Sequence, residues 1–139
     1  MAQNVLGAFE QLCWAALPHL AKQGGTIVAF ASDAARFAAP RQAIVAGVFG
    51  GIVAFVRSLA MEVAREGVRV HCITPSYVKD TPIFDMVAAR SPRTATAGDR
   101  AGLGLPSPKD IAPMVLFLCS PDASKVTGQV ISINGGLNA

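Results

Sequence analysis

The chain has 139 residues, 52% hydrophobic and 15% charged, enough apolar material for one ordinary core and too little charge for a disordered chain. A net charge of +3, with no dense Lys/Arg run interleaved with aromatics, argues against a nucleic-acid surface. Cys13, Cys72 and Cys119 are odd in number and widely spaced, and neither they nor His19 and His71 form a metal-ligand pattern. Reduced thiols in a cytoplasmic protein are expected, with no metal. The start, "MAQNVLGAFEQ", has no basic segment and carries Glu10, so no secretory signal is expected.

Taken in chain order, apolar residues recur at helical spacing from Ala2 to Lys22, and Gly24 and Gly25 close that helix. "TIVAFAS", Thr26 to Ser32, reads as a buried strand, and Asp33 to Gln42 as a loop. A long helix is predicted from about Arg41 to Glu66, ended by Gly67. It contains the most apolar run, Ala43 to Val56, which is too short for a comfortable membrane span. "VRVHCITP" is a second buried strand. Lys79 to Pro106 reads as a mobile connection around one short helix, Pro82 to Arg90. Ser107, Pro108 and Asp110 form an N-cap, an N1 proline and an N3 acid for a third main helix, which Pro113 should kink or loosen. "GQVISING", Gly128 to Gly135, is a third strand. Strands alternating with helices imply a parallel sheet covered on both faces.

These segments resemble the short-chain dehydrogenase/reductase family, with several motifs in order. "NVLGAF" is similar to its Asn-containing helix, and "GGTIVAFAS" to the strand ending in its catalytic Ser. "VRSLAMEVAREGVRVHCITPS" resembles the end of its active-site helix, the next strand and the turn after it. "TGQVISINGG" resembles its last strand and Gly-Gly end. The resemblance covers nearly the whole chain but only the second half of that fold. It implies a single truncated α/β domain over 1–139, a partial Rossmann-like, doubly wound fold of about three parallel strands flanked by helices and lacking the N-terminal nucleotide-binding half.

The family's chemistry uses a Tyr as proton donor, a Lys one helical turn on that lowers the Tyr pKa and holds the nicotinamide ribose, a Ser that polarises the substrate carbonyl, and an Asn that holds a relay water. Anchored on Arg57 to Ala60, the resemblance puts the Tyr position at Val45, the Lys position at Phe49, the Ser at Ser32 and the Asn at Asn4. Ser32 and Asn4 are then relic catalytic positions, although Ser32 also suits a local turn and Asn4 a helix cap. Thr81 matches the nicotinamide contact and Ser76 stands in place of a turn glycine. "AGLGLP" around Gly102 and Gly104 follows no strand and makes no pyrophosphate motif. No cofactor is expected, and NAD(P) only if a partner supplies the missing half.

The leading expectation is a catalytically inactive relative working through self-association or association with a full-length family member. The interface candidates are Phe9, Trp14, Val45, Gly47, Phe49 and Gly51. Val45 and Phe49, four apart, share a helix face, and so do Gly47 and Gly51. In the family the first two helices here form a main subunit interface. The alternative is a remnant cleft around Ser32, Asp33 and Tyr77 that binds a small molecule or performs non-redox chemistry. A third reading, an active oxidoreductase, rests on the resemblance alone. Neither nucleic acid nor membrane is an expected partner.

Overall fold

Strand β2, Val68–Pro75, is the centre of the molecule. Half of its eight residues are β-branched, and six are buried. The strand's two-residue period sends Val68, Val70 and Cys72 into one core and Ile73 into another. β1, Gly25–Phe30, pairs parallel to β2 with Gly25 opposite Val68 and Phe30 opposite Ile73. β3, Val130–Ile133, pairs parallel on the other side with Cys72 opposite Val130. The sheet order is β1-β2-β3, and the outer edge of β1 is unpaired among the described residues. This computed structural model describes residues 2–138.

Two helices cover one face: α1, Ala2–Leu20, and α2, Ala43–Glu62. Ile52, Val53, Val56, Leu59 and Ala60 of α2 pack with Cys13 of α1 and the β2 valines. The third main helix, α6, Pro108–Cys119, covers the other face through Ile111 and Leu118, against Ile73 and Val28. α2 is long and apolar enough to cross a membrane by length and composition, although the run Ala43 to Val56 alone is not. Its buried stripe, Ile52 to Ala60, packs against the sheet.

Several boundaries differ from the sequence reading. β1 ends at Phe30 because Ser32 caps a short 3₁₀ turn, Asp33–Ala35, its hydroxyl accepting from the Ala34 N–H at 3.2 Å. α2 starts at Ala43, since Arg41 has a left-handed backbone, φ 64°, that no helix start tolerates. It ends at Glu62, and a 3₁₀ turn, Ala64–Glu66, completes the segment before Gly67 at φ 73°. β3 spans four residues rather than the eight of "GQVISING".

The largest difference lies between Lys79 and Pro106. One helix was expected, and three form: α3 Pro82–Ala88, α4 Pro92–Ala95 and α5 Ala97–Arg100. Thr81-Pro82 and Ser91-Pro92 repeat the hydroxyl-cap-then-proline signature of Ser107-Pro108. The segment is anchored by buried Thr94, Ala97 and Ala101, and the Lys79 N–H donates to the Pro106 carbonyl. α6 continues through Pro113 to Cys119.

Candidate functional site

Parallel strands place their C-terminal ends on one side of a sheet, and here those ends open into a cavity of about 680 Å³. Ser32 follows β1, Ser76 and Tyr77 follow β2, and Leu137 and Asn138 follow β3; all five line it. The far wall comes from the α3–α5 segment, including Phe84 and Thr94, and the near rim from Arg41 and Gln42.

Inside it, Thr94 is buried and its hydroxyl donates to the Tyr77 hydroxyl at 3.3 Å. The Tyr77 ring meets Phe84 edge-on at 6.3 Å. Ser32 and Tyr77 therefore share the cleft, as the sequence suggested, but Asp33 does not. Its carboxylate is 1% exposed and turned into the sheet. It accepts from Ser132 Oγ and Asn134 Nδ2 at 2.6 Å each and from Asn138 Nδ2 at 3.4 Å. Asp33 is an anchor for β3 and the residues after it, not a cleft residue. These donors offset the cost of taking the carboxylate out of water.

Asn4 is exposed within the first turn of α1 and does not line the cavity; the helix begins before it, so it is not the cap. Thr81 caps α3, accepting from the Phe84 N–H at 3.3 Å and donating to the Val78 carbonyl at 2.7 Å. Its hydroxyl is thereby engaged, and it lies on a separate, almost wholly apolar groove of about 570 Å³ between Phe30, at the end of β1, and α6. Val45 and Phe49 are half-buried and absent from the cavity lining; Phe49 packs against the core. The loop "AGLGLP" docks on the chain's last turn, the Leu103 N–H donating to the Gly135 carbonyl.

The interface candidates divide. Phe9 packs edge-on to Phe55 at 5.7 Å, and a side chain at Gly51 would meet Leu6 at 2.8 Å. Phe9, Phe49 and Gly51 thus serve contacts within the chain. Trp14 is 81% exposed, and Gly47 faces open space.

The cleft's arginines, Arg41, Arg93 and Arg100, were not legible in the sequence: they lie before α2, in α4 and in α5, and share no motif. Ser76 was visible only as a substituted turn glycine. On the far face, His71 is fully buried beside Arg69 and its Nδ1 has no well-formed hydrogen-bond partner. Burial, then the Arg69 charge, hold its pKa below the usual value, outweighing a weak backbone contact at Val126.

The family model described as enoyl-(acyl carrier protein) reductase matches residues 1–138. A protein of Sinorhizobium fredii described as an uncharacterized short-chain type dehydrogenase/reductase is 31% identical over 98% of this chain and 25% of its own length. The chain belongs to the short-chain dehydrogenase/reductase family. Among its relatives, the 3-oxoacyl-(acyl-carrier-protein) reductase FabG of Thermotoga maritima is 32% identical over 96% of this chain and 54% of that protein. The crystal structure of the dehydrogenase Cj0485 superposes with a TM-score of 0.83 at 26% identity, over 93% of this chain and 52% of that one. The chain spans about half the length of FabG and of Cj0485 and a quarter of the Sinorhizobium protein. The fold is accordingly a partial Rossmann-like one, with three parallel strands flanked by helices.

Proposed function

We propose that this chain does not transfer hydride on its own and acts by association, first of all with a second copy of itself. The observation that carries the reading is the pair Val45 and Phe49. In the register of the family resemblance they occupy the Tyr and Lys positions, and neither has a titratable proton or a donor for a ribose hydroxyl. Thr81, at the nicotinamide position, spends its hydroxyl on capping α3. The residues present do not fit a dinucleotide.

Association is supported by apolar side chains that α1 and α2 leave in water: Leu12 is 67% exposed, Trp14 81%, Ile44 77% and Met61 82%. The unpaired edge of β1 adds a second adhesive feature. Self-pairing of one patch across a twofold axis is the commonest oligomer geometry. The free thiols of Cys13, Cys72 and Cys119 fit a cytoplasmic setting.

Calorimetric titration of the purified chain with NAD, NADH, NADP and NADPH should show no binding, and sedimentation should show a dimer that Trp14→Arg or Met61→Arg dissociates. Tight binding of any dinucleotide overturns the first half of the proposal. A monomer overturns the second, unless a full-length family member captures it. The cavity favours a second reading, in which the cleft holds a small molecule.

A further inference from the structure

The geometry points to the cavity at the strand ends as a binding site for an amphipathic anion, a carboxylate or phosphate head on an apolar body. This rests on the second reading above, that the cleft binds small molecules, and goes beyond it by naming the chemistry.

The first argument is charge. Arg41, Arg93 and Arg100 line the cavity, and no Asp or Glu is among the described residues that do. Asp33, next in sequence to Ser32, is turned away and satisfied by Ser132, Asn134 and Asn138. Arg100 is held in place by donating Nη2 to the Arg93 carbonyl at 2.8 Å, which joins the two arginine positions and leaves most of its fork unused.

The second argument is hydrogen-bond polarity. Four lining hydroxyls each accept a bond from the protein. Ser32 accepts from the Ala34 N–H, Ser76 from Asn138 Nδ2, Tyr77 from the Thr94 hydroxyl and Ser91 from the Thr94 N–H. A hydroxyl has one proton: the three serine protons stay free, and the Thr94–Tyr77 pair keeps one free proton whichever of its hydroxyls donates. The Asn138 amide is oriented by the Asp33 carboxylate, which fixes its NH₂ as the donor to Ser76. A cavity lined by three arginines and carrying four uncommitted O–H donors is matched by a ligand that only accepts. That describes a carboxylate or phosphate.

The third argument is shape. The cavity is about 680 Å³, equal to roughly twenty water volumes, too large for a bare inorganic anion. Phe37, Ile83, Phe84 and Leu137 supply an apolar wall for the rest of the ligand. Arg41 adds a strained backbone, φ 64°, of the kind that structures tolerate at ligand-facing positions.

The test is calorimetric titration of the purified chain at low salt with four probes sharing one tail: octanoate, octyl phosphate, 1-octanol and octylammonium. Both anions should bind at least tenfold tighter than the alcohol or the cation, and added salt should weaken only the anions. Their ratio separates a carboxylate from a phosphate ligand. Arg41→Gly and Arg93→Gln should each weaken anion binding at least threefold and leave octanol unchanged. Arg41→Gly should also melt no lower than the parent, because glycine suits its backbone; Arg93→Lys should retain partial binding. Octanol binding as tightly as octanoate overturns the anion proposal and leaves the cleft reading standing. No binding of any probe at millimolar concentration overturns both. Anion binding insensitive to both arginine substitutions places the site elsewhere and overturns the proposal.

Discussion

Asn134 donates its side-chain amide to the carboxylate of Asp33 at 2.6 Å, across 101 positions of sequence. With the bond from Ser132, it ties the end of β3 to the turn after β1, although β2 lies between those strands. This buried bridge fixes one side of the cleft.

Asp33→Asn should therefore destabilise the fold by about 2–4 kcal/mol, because the NH₂ that replaces one carboxylate oxygen donates and cannot accept, which leaves a buried donor unmet. Ser132→Ala should cost about 1 kcal/mol. Urea unfolding monitored by circular dichroism measures both. An Asp33→Asn protein as stable as the parent would contradict the anchoring role.

His71 makes stability depend on pH. Its pKa is lowered in the folded state, so folding favours the neutral ring. That contribution is complete above the unfolded value of 6.5 and is lost as pH falls from there through the folded value. The unfolding midpoint should drop between pH 7 and pH 5, and His71→Gln should flatten that drop. An unchanged slope in His71→Gln would assign the pH dependence to other groups.

Arg69 donates to the carbonyls of Leu118 and Ser120, where α6 ends. These are C-terminal carbonyls without partners inside the helix, and a cation there also meets the helix dipole. Arg69→Met should cost roughly 1.5–3 kcal/mol, read as a shifted denaturant midpoint.

The glycines of α2 should respond in opposite directions. A methyl at Gly47 meets nothing within 4 Å, so Gly47→Ala should stabilise the helix by about 0.5–1 kcal/mol. At Gly51 it would press on Leu6 and consume that gain. If Gly47 also receives a second copy of the chain, Gly47→Leu should weaken the dimer seen by sedimentation while the monomer stays folded.

Thiol accessibility should split one to two. Cys119 is exposed, whereas Cys13 and Cys72 are buried, and burial pushes the Cys72 thiol up to about 11. A chromogenic disulfide reagent at pH 8 should titrate one thiol promptly in the native protein and three after denaturation. Prompt reaction of two would mean that the α1–α2 layer opens readily.

Much of the architecture was legible in the sequence. The β-branched run of β2 and the helical spacing of α1 and α2 announce their elements through periodicity. The Ser107-Pro108 signature located α6, and the same signature at Ser91-Pro92 was present but unused, which is why α4 was missed; α5 follows Thr96 with no such signature. The cleft was only half legible. Ser32 and Tyr77 follow strands, and the ends of parallel strands meet. Asp33 was placed in the cleft because its neighbour Ser32 is there, but adjacent residues at a turn point in different directions. Here, donors 99 and 101 positions away drew Asp33 inward.

The sequence by itself determined the strand–helix alternation, the absence of titratable groups at Val45 and Phe49, and the family resemblance, because these reside in local periodicity and in residue identity. Only the tertiary structure decided that Phe9 and Gly51 serve the inner core while Trp14 faces water, since a helix face has no meaning until a neighbour covers one side. It alone gathered Arg41, Arg93 and Arg100 around one cavity. Charges on separate segments become one field only when the fold brings those segments to the same end of the sheet.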